Sequence, residues 1–211
     1  MSTADHRPTR ADAARNREQL LAVATRVLAT EGAETSMRAI SREAGVGIAT
    51  LYRHFPTRES LVEAVYSDQV ERLTTGARAL LAQNPPAEAL RQWMDLYGGW
   101  IATKSGMLDT LLAMVESGDL AHAKTRDEIL AAISTILDSG AAENALRSDV
   151  TALDVSASLI GIFTVTRQAG GAVRTDRLLD ILLDGLRPQR HPRKDADHDH
   201  PGSDDDERVA R

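Results

Sequence analysis

The sequence predicts an all-α protein, a three-helix N-terminal unit followed by a larger helical unit, with about nine helices in all. Three observations lead there. Apolar residues recur at helical spacing from Leu20 to Leu186, and nowhere do they alternate as a half-buried strand requires. Capping residues, glycines and prolines interrupt that pattern at helix-length intervals. Hydrophobic residues make up 42% of the chain and aromatics only 3%, so the core is built from Ala, Leu, Val and Ile.

Taken in order, residues 1–10 are polar, contain Pro8 and read as a flexible arm. Arg7 and Arg10 can reach phosphate or a groove from it, or stay solvated. A first helix over 11–31 carries Leu20, Val23, Ala24, Val27 and Leu28 on one stripe and ends at Gly32. Ser36 caps a short second helix with Ile40 and Ala44 on its apolar face. Gly45-Val46-Gly47 is the turn. A third helix runs over 48–55, with Leu51 and Phe55 inward, and Pro56 stops it. Two short helices around a Gly-containing turn, the second with a polar, aromatic and cationic outer surface, make a helix-turn-helix. Its second helix is shaped to lie in a DNA major groove.

Thr57 caps a fourth helix that reaches the low 80s, with Leu61, Val62, Val65, Val70, Leu73 and Leu80 inward; Asn84-Pro85-Pro86 breaks it. The next helix, over 87–104, aligns Trp93, Tyr97, Trp100 and Ile101. Gly98-Gly99 inside it costs ~1 kcal/mol per residue in propensity and leaves space for packing or for a bound molecule. A short helix over 107–117 contains Leu108, Leu111, Leu112, Met114 and Val115 and ends at Gly118. Asp119 caps a helix over 120–139, with Ile129, Ala132, Ile133, Ile136 and Leu137 inward, and 140–149 is a loop.

Thr151 and Asp154 form a capping-box variant before a helix over 152–168. That helix is apolar on most sides and is expected to be buried on more than one. Gly170-Gly171 follow, and Thr175 caps a last helix over 176–186, with Leu178, Leu179, Ile181, Leu182, Leu183 and Leu186 apolar. Residues 188–211 are charged and read as a disordered tail. His191, His198 and His200 lie among its aspartates; a metal reading is open there beside that of a solvated tail.

The residues Gly32, Ser36-Met37-Arg38, Ile40, Ala44-Gly45-Val46, Thr50-Leu51-Tyr52, His54-Phe55, Arg58, Leu61 and Val62 resemble, in order and spacing, the DNA-binding domain of the TetR family of bacterial transcriptional regulators. One departure is Ala39, where many members carry an acidic residue that completes a capping box with Ser36. The resemblance implies a DNA-binding domain at 11–57, an effector-binding and dimerisation domain at 58–187, and a homodimer on double-stranded operator DNA. It implies DNA contacts from Ser36, Met37 and Arg38, whose guanidinium fork matches guanine O6 and N7. Gly47, Ile48, Ala49 and Thr50 open the recognition helix, whose N-terminus attracts phosphate. Ile48 is also readable as a core residue. Tyr52, Arg53, His54 and Arg58 match positions that face the DNA backbone, and His54 is also readable as a helix-end cap. Phosphate contacts position a protein without reading sequence.

The C-terminal part is less diagnostic. Its stretch over 93–106 resembles a subgroup of actinobacterial-type members. In the family this domain holds a small molecule, and its last two helices pair with a second copy. Candidate cavity residues are Trp93, Tyr97, Trp100, Leu111, Met114, Val115, Phe163 and Arg167, with a packed core as the alternative for the aromatic stripe. With no acidic cage or metal cluster, a small apolar organic effector is expected. Leu159, Phe163, Leu179 and Leu183 are the candidates for the dimer interface.

Net charge is −6, but the first 58 residues carry +3, residues 59–187 carry −7 and the tail −2. The positive end coincides with the helix-turn-helix. With no cysteine there are no disulfides, thiolate chemistry or Cys-based metal sites, and a reducing compartment fits. No apolar run is long enough for a membrane span and the N-terminus lacks a signal core, so a cytoplasmic protein without membrane partner is expected. No HExxH pair, phosphate loop or nucleophile motif is present, which disfavours an enzyme. No cofactor is expected. The expected function is a repressor released from a palindromic operator by its effector. An effector-independent DNA-binding dimer and a helical interaction module are the alternatives.

Overall fold

The computed structural model describes residues 10–32, 35–118, 122–169 and 173–188. The arm before Arg10, the Asp119 cap, Gly170-Gly171 and the charged tail with its histidines lie outside the described residues. The helices are α1 (Arg10–Glu31), α2 (Met37–Glu43), α3 (Ile48–His54), α4 (Arg58–Leu81), α5 (Pro86–Gly106), α6 (Leu108–Glu116), α7 (His122–Ala142), α8 (Ala152–Gln168) and α9 (Thr175–Leu186). Among the described residues there is no strand.

Short-range chemistry sets the N-terminal unit. Gly32 and Gly45 take φ of +75° and +67°, so α1 and α2 end where a side chain would be strained. Ser36 Oγ accepts from the Ala39 N–H at 3.1 Å. Because residue 39 is alanine, nothing reaches back, and the cap is one-sided. Thr57 and Ser60 cap α4 reciprocally, each side chain accepting from the other's backbone N–H at 3.1 Å. Thr151 and Asp154 do the same for α8.

Two ends differ from the sequence expectation. α7 runs on to Ala142, because Gly140 gives up the space that Leu146 of the following loop occupies; a Cβ there would sit 2.5 Å from the leucine. Thr175 is the first residue of α9 rather than its cap. The cap position is Arg174, which pairs with Asp176 instead of capping the helix.

One continuous core runs through both units. α4 packs along α5 and α7, and α1 lies on α2, α4 and α5. Trp93 is fully buried and its indole N–H donates to the Leu73 carbonyl at 2.8 Å, tying α5 to α4. At the other end of α5, a Cβ on Gly106 would lie 1.8 Å from the Leu28 carbonyl oxygen and 3.3 Å from the Gly32 Cα. The end of α5 therefore rests on the backbone of α1. α8 is less buried than expected: only Val155 and Leu159 are buried, and Leu153, Ile160 and Val165 are exposed.

Candidate nucleic-acid interface and ligand cavity

α2 and α3 are held from behind. Leu51 and Phe55 are buried in the core, the Gln19 amide donates to the Ala44 carbonyl at 2.8 Å, and the Arg17 guanidinium lies 5.4 Å from the Phe55 ring centre. This fixes the outward side chains. Ser36, Arg38, Gly47, Ala49, Tyr52 and Arg53 are exposed, and Ile48, Thr50, His54 and Arg58 are half-buried. Tyr52 is 47% exposed, a large ring displayed at the surface.

Three of the expected DNA contacts need correction or sharpening. Met37 is 9% exposed and packs in the core, because α2 turns Met37, Ile40 and Ser41 inward as one face. Ile48 packs against the core while keeping a partly open edge. The Arg58 guanidinium donates to the Thr35 carbonyl, clamping the start of α4 to the start of α2. Its position is structural whatever else it touches. His54 has a buried, unpartnered Nε2. Burial, and then the nearby Arg53 and Arg17 charges, hold its pKa below the usual histidine value.

A cavity of about 260 Å³ opens between α4, α5, α7 and α8. Tyr66, Tyr97, Trp100, Lys104, Thr125, Arg126, Ile129, Leu153, Ser156, Ala157 and Ile160 line it. Of the eight candidates from sequence, Tyr97 and Trp100 are in this wall. Trp93 is core, one turn too far along α5. Leu111 and Met114 are buried away from the cavity, on α6, and Val115 faces solvent. Phe163 stacks on Tyr97, 6.2 Å between ring centres, and fills the notch that Gly98 leaves. Arg167 is exposed and donates to the Ser105 hydroxyl. The missed residues had a weak signal: Tyr66 continues the Val62–Val70 stripe, and Lys104 lies one turn beyond Trp100.

The wall is aromatic on one side. Tyr97 and Trp100 are 5.2 Å apart between ring centres, and Tyr66 and Trp100 6.5 Å. Trp100 Nε1 is buried without a hydrogen-bond partner, and the Tyr66 hydroxyl is buried beside Thr125 of the same wall. Burial pushes the Tyr66 and Tyr97 phenols up and the Lys104 ammonium down.

The expected interface residues also need correction. Leu159 is 0% exposed, Leu179 1% and Leu183 8%, all turned into the protomer's own core. Phe163 is half-buried beside Tyr97. The outward apolar face of α8 and α9 is instead formed by Val165 and Ile181, 52% and 58% exposed, with the exposed small residues Gly161 and Gly185 beside them. Among the described residues no helix is long and apolar enough to cross a membrane.

This architecture is shared with known proteins. A family model of bacterial regulatory proteins of the tetR family matches residues 20–65, and one of the C-terminal domain of SbtR-like transcriptional regulators matches residues 85–188. No curated protein matches the chain. The crystal structure of a TetR transcriptional regulator from Streptomyces coelicolor is 44% identical, covering 82% of this chain and 98% of its own, at a TM-score of 0.75. That of a TetR transcription regulatory protein from Mycobacterium vanbaalenii is 35% identical over 85% of this chain and 99% of its own, at 0.67. A gamma-butyrolactone receptor, 24% identical over 83% and 90% of the two chains with a TM-score of 0.53, shares the fold. One family model thus takes in the helix-turn-helix and the other the helices behind it, and the identity to solved relatives runs across both. The chain belongs to the TetR family of bacterial transcriptional regulators, DNA-binding proteins without enzymatic activity.

Proposed function

We propose that the protein is a cytoplasmic repressor that binds a palindromic operator as a homodimer and leaves it when a small molecule occupies the α4–α5–α7–α8 cavity. On this proposal residues 11–57 hold the DNA, residues 58–187 hold the effector and the partner copy, and Arg38, Gly47, Ala49, Thr50, Tyr52 and Arg53 meet the operator. The observation that carries it is α5, which walls the cavity with Tyr97, Trp100 and Lys104 and ends at Gly106 against the α1 backbone. A ligand that fits one arrangement of these helices better than another biases the spacing of the two DNA-binding heads. Nearly complete release needs a preference of ~5.5 kcal/mol.

Selection of bound sequences from random or genomic DNA is the direct test. The expected product is a palindrome with half-sites about one helical turn, or a multiple, apart. Arg38→Ala, at an exposed position, is expected to leave the fold intact, cost ~1–3 kcal/mol and relax base preference at one position. Tyr52→Ala is expected to weaken binding to all sequences alike. Binding that is indifferent to both changes would remove this face from the operator contact.

A further inference from the structure

We propose, on the reading of this cavity as the effector site, that it takes a small organic monocarboxylate with a compact apolar or aromatic body, and that Lys104 selects the negative charge. Two cations, Lys104 and Arg126, stand in the wall, and no Asp or Glu lines it. Among the described residues neither cation has a carboxylate partner, although the surrounding region is acidic. Several other basic residues of that region do have carboxylate partners: Arg91 bonds both Asp95 and Asp180, and Arg147 bonds Asp149.

Lys104 is half-buried, with its ammonium 5.0 Å from the Trp100 ring centre. That contact orients the charge along the aromatic wall and satisfies none of its three hydrogen-bond donors. Burial pulls its pKa down with no anion to offset it, so the charged form is under-stabilised until an anion arrives. An entering carboxylate accepts only, which suits a site of donors. An amine would meet two cations and no acid. Ile129 and Ile160, with the Tyr97 and Trp100 rings, supply the apolar surface of the same cavity. About 260 Å³ lies just below the usual range of ligand pockets. It admits a body on the order of a dozen non-hydrogen atoms.

Phenylbutyrate, phenylbutanol and phenylbutylamine offer one body with anionic, neutral and cationic heads. Binding to the full-length protein is read by tryptophan fluorescence, since both tryptophans lie on α5, and by calorimetry. The acid is expected to bind about tenfold tighter than the alcohol, and the amine weakest. Lys104→Met, which keeps the stem and removes the charge, is expected to bring the acid to the alcohol's affinity; Lys104→Arg is expected to keep the acid's lead. The wild-type ranking decides even where a variant does not fold. An alcohol or amine that binds as tightly as the acid would overturn the proposal. So would an acid affinity unmoved in folded Lys104→Met, or no binding of any of the three at ~1 mM. Operator release is measured separately. An acid that binds without releasing DNA leaves the anion site standing and removes the sensor. An alcohol that binds and releases DNA while the acid does neither removes the anion preference alone.

Discussion

Gly106→Ala is expected to destabilise the protein by roughly 3 kcal/mol or more and to take operator binding down with it. A Cβ at this position falls 1.8 Å from the Leu28 carbonyl oxygen. The obstacle is backbone, so no rotamer change relieves it; α1 and α5 must move apart. Two other glycines of the same helix set the scale. Gly98→Ala meets only the Phe163 ring, at 2.6 Å, and that half-buried side chain can turn away at moderate cost. Gly99→Ala meets nothing within 4 Å and is expected to stabilise by up to ~1 kcal/mol through helix propensity. Thermal unfolding of the three variants side by side checks the order. A Gly106→Ala protein as stable as wild type would mean that α1 and α5 are not in backbone contact.

On the proposed function, the same contact gives a cavity in the body a route to the DNA-binding head. Between the Lys104 wall position and Gly106 there is half a helical turn and no side-chain layer to absorb displacement. α4 supplies a parallel route: Tyr66 is in the cavity wall, and the helix begins at Arg58, bonded to the Thr35 carbonyl just ahead of α2. Close-packed elements of this kind pass on small shifts instead of absorbing them.

The helix-turn-helix was legible because its determinants are local. Caps, a positive-φ glycine and a stopping proline act within a few residues, so Ser36, Gly45 and Thr57 could be assigned from sequence. The cavity and the outer face were not, because they depend on which of several apolar faces meets the core. Trp93 and Trp100 share one stripe, yet the first bonds Leu73 in the core and the second borders the cavity. In α8, Leu159 and Ile160 are adjacent apolar residues, yet the first is buried in the core and the second borders the cavity. A helix apolar on most sides carries no periodic signal to choose between them. Lys104 and Arg126 carry no sequence signal for the opposite reason: isolated cations in sequence look like solvated surface until their surroundings are known.

The corrected outer face leads to the second large effect. Ile181 lies two residues from both Leu179 and Leu183, about 200° around the helix, so it points away from the core that they enter. It is 58% exposed, and the exposed Gly185 one turn further along α9 allows another helix to approach closely. A two-fold axis through α8 and α9 would bury Ile181 in both copies at once. Each burial contributes ~1.5–3 kcal/mol, and an aspartate in its place adds an unpaired charge on each side. Ile181→Asp is therefore expected to weaken dimerisation at least a hundredfold, roughly 3 kcal/mol, while leaving the helical content unchanged. Leu183→Asp is expected to unfold the protomer instead, because Leu183 is 8% exposed within its own core. Sedimentation at micromolar concentration separates the cases: a helical monomer for the first, aggregate or unfolded chain for the second. Operator affinity falls with the dimer, since one head engages one half-site. A folded Ile181→Asp protein that still sediments as a dimer would place the two-fold interface elsewhere on the molecule.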